Sequence, residues 1–244
     1  MITVRQADTL GVTQSDTLTL RCYFAFADYQ DPVHQHEGRL RVLNQGELGP
    51  SETYHLGPEA ADDIVTWVWT GSLVAQVDGF EPEDIQAGGL HFISAGSGCT
   101  GLSWQAGAEG AAFLQFWFLP DMEGGMPRQE SRSCLDQQGD GGFSILASGF
   151  PEDNAEESED VTDDGPVALR ASARLLHAAI PAGEGAAYNT SASRDLYLVV
   201  VSGTVSVEES VLKTGDAAAV QGVQTLTVMA QEQAVILLTD VAQS

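Results

Sequence analysis

Ile64-Val65-Thr66-Trp67-Val68-Trp69-Thr70-Gly71-Ser72-Leu73-Val74-Ala75-Gln76-Val77 decides how this chain folds. Two β-branched and aromatic runs stand on either side of one glycine, and their texture predicts strand, glycine turn, strand. Leu90-His91-Phe92-Ile93 and Phe113-Leu114-Gln115-Phe116-Trp117-Phe118-Leu119 have the same character. So do Leu196-Tyr197-Leu198-Val199-Val200-Val201, Thr204-Val205-Ser206-Val207, Asp216-Ala217-Ala218-Ala219-Val220, Thr225-Leu226-Thr227-Val228-Met229 and Ala234-Val235-Ile236-Leu237-Leu238. Many short strands at turn-separated spacing predict an all-β barrel or sandwich. The two groups also look like copies of one unit. WVWTG-SLVAQV with Gly71, then a turn at Ala87-Gly88-Gly89, is matched by VVVSG-TVSVEE with Gly203, then a turn at Thr214-Gly215-Asp216. Repetition across the halves of a 244-residue chain predicts two similar barrels in tandem.

Charge bounds the partners. Ten basic residues, of which only Lys213 is a lysine, stand against thirty-five acidic ones, for a formal net charge of −25. Such a surface repels phosphate backbones and anionic lipid heads, so neither nucleic acid nor membrane is an expected partner. A carboxylate-rich surface suits high salt, where self-repulsion is screened, and halophilic adaptation is the expectation it carries. Eight of the thirteen residues from Glu152 to Asp164 are acidic, which predicts a mobile surface loop. The other acids are distributed over the chain. There is no apolar run long enough to span a membrane and no secretion-type start, so a cytoplasmic location is expected. Cys22, Cys99 and Cys134 lack metal or disulfide spacing and read as reduced, partly buried thiols.

Phe24-Ala25-Phe26-Ala27-Asp28-Tyr29-Gln30-Asp31-Pro32, Leu40-Arg41-Val42-Leu43-Asn44, Ser94-Ala95-Gly96-Ser97-Gly98 and Phe113 to Pro120 follow one another as landmarks that resemble the pirin family. Those proteins are bicupins and include pirin-related quercetin 2,3-dioxygenases. The resemblance implies two tandem jelly-roll type cupin barrels, here drawn as 1–125 and 166–244, joined by a linker 126–165 that contains the acidic loop. It also implies a metal centre in the first barrel. Metal-binding members carry a His-Pro-His run fourteen to twelve residues before the glycine corresponding to Gly71, and a His-x-Glu just after the SAGxG segment. Three imidazoles and one carboxylate would leave open positions on a divalent transition metal such as iron, nickel or copper.

This sequence departs from that pattern. Gly57-Pro58-Glu59 stands in place of His-Pro-His, and Gly101-Leu102-Ser103 in place of His-x-Glu. Glycine offers no donor atom and a serine hydroxyl is a poor neutral ligand, so no metal cofactor is expected. The leading expectation is a small-molecule or protein-binding module whose pocket lies at Gly57, Glu59, Gly101 and Ser103. The alternative is a quercetinase-type dioxygenase whose metal is held by His55, Glu59 and His91. His55, Gly57 and Glu59 are evenly spaced, so an extended strand would point them to one side. Other constellations carry less. Ser94 and Ser97 form no nucleophile elbow, and the five histidines give no triad. His34-Gln35-His36 reads as part of an exposed loop.

Overall fold

The structure, a computed structural model, describes residues 1–133, 141–153 and 165–243. In chain order the strands are β1 (Ile2–Arg5), β2 (Gly11–Gln14), β3 (Leu18–Cys22), β4 (Leu40–Leu48), β5 (Thr53–Leu56), β6 (Glu59–Val77), β7 (Glu83–Gln86), β8 (Leu90–Cys99), β9 (Leu102–Phe118), β10 (Arg128–Arg132), β11 (Ser144–Ser148), β12 (Val167–Ala168), β13 (Ala173–Ile180), β14 (Gly185–Asn189), β15 (Arg194–Ser202), β16 (Thr204–Val207), β17 (Ser210–Lys213), β18 (Ala217–Gln221), β19 (Thr225–Ala230) and β20 (Ala234–Ala242). The first barrel is one curled sheet, β10-β8-β6-β9-β4-β3-β2, with β5 added on β9 and β7 on β6. The second is built from β1-β18-β15-β20-β13-β11-β12 and β14-β19-β16-β17. No α-helix occurs among the described residues.

The opening stretch is apolar along its whole length because it is covered on both faces. Ile64 and Val68 turn into the first barrel, where they meet Val42, Trp104 and Phe113. Val65 and Trp67 turn the other way, into a core shared with Leu175, Tyr197, Val199 and Leu237 of the second barrel. β15 is the mirror case: Leu196, Leu198 and Val200 fill the second barrel, while Tyr197 and Val199 face the first. Period-two alternation of destination, with both destinations apolar, gives runs without polar breaks.

Several elements differ from the sequence reading. Gly71 does not end a strand, because β6 continues from Glu59 to Val77 and bends there through two register shifts. Gly71 has φ +73°, and a Cβ on it would come within 2.0 Å of the Gly110 carbonyl oxygen, so only glycine permits the bend. Gly203 holds the matching place with φ +85°, but there the ladder is interrupted into β15 and β16. The SAGSG segment is likewise strand, not turn, since β8 runs to Cys99. Both barrel boundaries also shift. Arg128–Arg132 pairs with Leu90–Ser94 and extends the first barrel past residue 125, while Ile2–Arg5 pairs with Ala217–Val220 of the second. Pairing partners so distant leave no local pattern to read. Of the acidic loop, residues 154–164 and likewise Cys134 lie outside the described residues, but Glu152 and Asp153 are anchored on arginines.

A candidate ligand site at the first barrel

Among the described residues, the positions at which the pirin resemblance implies metal ligands do not come together as a metal site. β5 ends at Leu56 on β9, and β6 begins at Glu59 opposite Cys99 of β8, so Gly57 and Pro58 link strand ends that sit against different neighbours. The even spacing of His55, Gly57 and Glu59 therefore does not place them on one side of one strand. His55 is exposed on β5 opposite Ser103. Its strand neighbour Tyr54 is the inward residue, stacked 5.6 Å from Trp104. His91 faces into the barrel, fully buried, and its Nδ1 accepts the Trp104 Nε1–H at 3.3 Å. An indole nitrogen only donates, so the proton of His91 sits on Nε2. Burial pushes the His91 pKa down to about 4, with Gln129 and Glu83 opposing the shift. His55 and His91 thus occupy opposite faces of the sheet. At Gly101 a side chain would meet the Asp78 carboxylate, which accepts the Thr100 hydroxyl at 2.7 Å. Among the described residues no three His, Cys, Asp or Glu side chains converge as a metal site. The donor set does not fit the transition metal that the family implies.

What the barrel holds instead is a row of inward polar side chains in register. Cys22 pairs with Asn44, Asn44 with Gln115, Gln115 with Thr66, and Thr66 with His91, across β3, β4, β9, β6 and β8. Gln115 Nε2 donates to Thr66 Oγ1 at 3.2 Å. Both polar atoms of Asn44, the Gln115 Oε1, the Trp117 Nε1 and the Tyr54 hydroxyl are buried without a protein partner. Buried polar groups of this kind are normally satisfied by ordered water or a bound polar molecule. Nearer the rim, burial raises the pKa of Glu59 and of Asp62; Asp62 adds to the shift of Glu59 and Asp63 to that of Asp62, and Arg41 opposes both. Cys22 and Cys99 are buried thiols whose pKa values burial raises, which makes them poor nucleophiles.

Beside this rim a concavity of about 700 Å³ opens between the 25–38 segment, the start of β4 and the end of β9. Gln30, Gln35, His36, Arg41, Pro32 and Leu119 are among its lining residues. His34 and His36, which sequence reasoning set aside together as loop, have separate roles here: His34 Nδ1 is 2.9 Å from Asp31, whereas His36 faces the concavity. The sequence signal for the concavity was the pair of landmarks at 24–32 and 40–44.

The corresponding end of the second barrel is closed. Arg174, Arg194 and Asp240 lie two residues along from the core side chains Leu176, Leu196 and Leu238 and point the same way. Asp240, fully buried, accepts from Tyr188 at 2.7 Å, Arg194 at 3.2 Å and Thr190 at 3.1 Å. Glu152 bridges Arg174 and Arg194 at 3.1 and 3.0 Å, and the Phe150 ring lies 3.7 Å from the Arg194 guanidinium carbon. Burial opposes the Asp153 charge, yet the bonds from Arg174 and Ser148 hold its pKa below the usual range.

Two such barrels in tandem, sharing one apolar interface, define a bicupin. A family model for the quercetinase C-terminal cupin domain matches residues 158–241. The chain is 32% identical over 242 residues to a Pseudomonas aeruginosa protein provisionally named quercetin 2,3-dioxygenase, and 31% identical to a pirin-like protein of Caulobacter vibrioides. Each alignment covers 99% of this chain and 100% of the relative. The crystal structure of the Escherichia coli bacterial pirin YhhW, solved in complex with nickel(II), superposes with a TM-score of 0.87 at 25% identity, covering both chains in full. The chain belongs to the pirin family.

Proposed function

We propose that this pirin-family protein has given up metal chemistry and that its first barrel binds a small organic molecule. The observation that carries the reading is the placement of the two candidate imidazoles, His55 and His91, on opposite faces of the sheet. With Gly57 and Gly101 at two other positions where the resemblance implies ligands, the described residues bring together no open-sided metal centre of the kind that oxygen chemistry needs. The unpartnered inward groups of Asn44, Gln115 and Trp117, and the neighbouring concavity, favour a ligand over a protein partner, because they offer directional polar contacts in a concave setting.

Elemental analysis of protein purified without an affinity tag, paired with oxygen uptake on quercetin, tests this. Substoichiometric iron, nickel and copper with no oxygen consumption is the expected result. Stoichiometric metal, or turnover of the flavonol, overturns the reading and restores the alternative in which His55, Glu59 and His91 would have to rearrange around an ion.

A further inference from the structure

The concavity at the first barrel is lined by an arginine that makes no ion pair with a described residue. Of the nine arginines in this chain, seven make hydrogen bonds or ion pairs with described residues. Arg21 and Arg41 make none, and Arg41 lines the concavity. Its position is built into the sheet. Leu40 pairs with Phe118 and Val42 with Trp117, so Arg41 is the extra residue of a bulge, a device that re-aims a side chain out of the ladder. Glu59 and Asp62 act on Arg41 through space, but neither forms an ion pair with it. Its five N–H donors are therefore uncommitted.

The opposite wall is held in place before any ligand arrives. Asp31 gathers Arg5 at 3.0 Å, the Tyr29 hydroxyl at 2.8 Å, His34 Nδ1 at 2.9 Å and the backbone N–H groups of Val33 and His34 at 3.0 and 3.1 Å. Burial works against the Asp31 charge, but these bonds outweigh it and hold its pKa well below the carboxylate range. Asp31 therefore stays ionised, with its charge offset by the paired Arg5. Gln30, Gln35 and His36 add polar groups, and Pro32 and Leu119 supply apolar surface. A wall fixed in advance loses little entropy on binding.

We propose that this concavity binds a small organic anion, a carboxylate or sulfonate on an apolar body, with Arg41 receiving the charged group. The proposal rests on the metal-free, ligand-binding reading and supplies its ligand class. A guanidinium recognises a planar oxyanion through paired N–H donors, and a lysine in its place retains charge without the fork.

The probe is 8-anilino-1-naphthalenesulfonate, followed by fluorescence titration, with the neutral N-phenyl-1-naphthylamine as its uncharged counterpart. Saturable one-site binding of the sulfonate is expected. Arg41→Gln should weaken it at least about tenfold and Arg41→Lys less, the loss of a charge-assisted contact being worth more than one power of ten. Arg21→Gln, which removes the other uncommitted arginine, should leave it unchanged. Gln35→Glu places a like charge in the concavity without touching β4 and should weaken binding too. The neutral probe should bind weakly and equally to wild type and Arg41→Gln. No saturable binding of the sulfonate, equal losses in Arg41→Gln and Arg21→Gln, or equal affinity for the neutral probe overturns the anion site. Metal content measured on the same preparation separates the two levels: metal-free protein that ignores the probe overturns only the anion site, whereas stoichiometric metal overturns the reading beneath it.

Discussion

The two barrels share an architecture and differ in what they put inside it. The second has a core of Leu, Val, Ile and Ala, and its end is closed by Arg174, Arg194, Asp240 and the incoming Phe150, Glu152 and Asp153. The first mixes large aromatics with an in-register polar row, leaves several buried polar atoms without protein partners, and opens beside its rim onto a concavity. A barrel that only has to be stable can be filled with aliphatic carbon and finished with ions. Keeping Asn44, Gln115 and His91 inside costs stability, since buried polar groups are favourable only when satisfied. That cost is the physical reason to look for a ligand at the first barrel.

All four tryptophans lie on strands of the first barrel, Trp104 and Trp117 inside it and Trp67 and Trp69 against the shared core, so tryptophan fluorescence reports on that barrel and the interface while far-UV circular dichroism reports on both barrels. The largest expected effect is Trp104→Ala, which removes a fully buried ring and the donor to His91, and should cost toward the upper end of about 3–5 kcal/mol in denaturant unfolding. A loss below about 1 kcal/mol would show that the first core is loosely packed and the contrast overdrawn. Arg174→Ala, which strips a partner from buried Asp240 and from Asp153, should cost about 3–4 kcal/mol and should lower the circular dichroism transition before the fluorescence one. Coincident transitions would mean that the shared interface makes the two barrels one cooperative unit. His91 gives a pH dependence. Its folded pKa of about 4 lies below the unfolded value of about 6.5, so its contribution is whole above pH 6.5 and lost as pH falls toward 4, where it amounts to about 3 kcal/mol. His91→Gln should flatten that window relative to wild type; parallel curves would show that His91 is not the group responsible. Last and smallest, melting temperature should rise by about 3 °C or more from low salt to molar potassium chloride, as screening relieves the −25 charge. A flat or falling value removes the high-salt reading.

Much of the fold was legible because alternation and β-branched composition are local signals. What escaped was set by distance. Gly71 and the SAGSG segment read as turns, since glycine is punctuation in most contexts, whereas here tight backbone approach keeps the strand going. Arg128–Arg132 has no apolar face and became a strand only because Leu90–Ser94 offered an edge. At the site, the sequence singled out Gly57, Glu59, Gly101 and Ser103 but not what surrounds them. Asp78 beside Gly101, the bulge at Arg41 and the opposed faces of His55 and His91 depend on register between strands far apart in the chain. His34-Gln35-His36 is loop as its sequence suggests, but spacing alone does not say that one imidazole is claimed by Asp31.

The pairing of Ile2–Arg5 with Ala217–Val220 also sets an order of events during synthesis. The first barrel can close as soon as Arg132 has left the ribosome, but β1 must wait for a partner made more than two hundred residues later. Until β18 arrives, four residues with an unpaired strand edge trail from a finished barrel, held near it only by such contacts as Arg5 with Asp31. The last step of assembly is then a strap fastening across both halves, and the second barrel, not the first, is the one that a change at the start of the chain would undo.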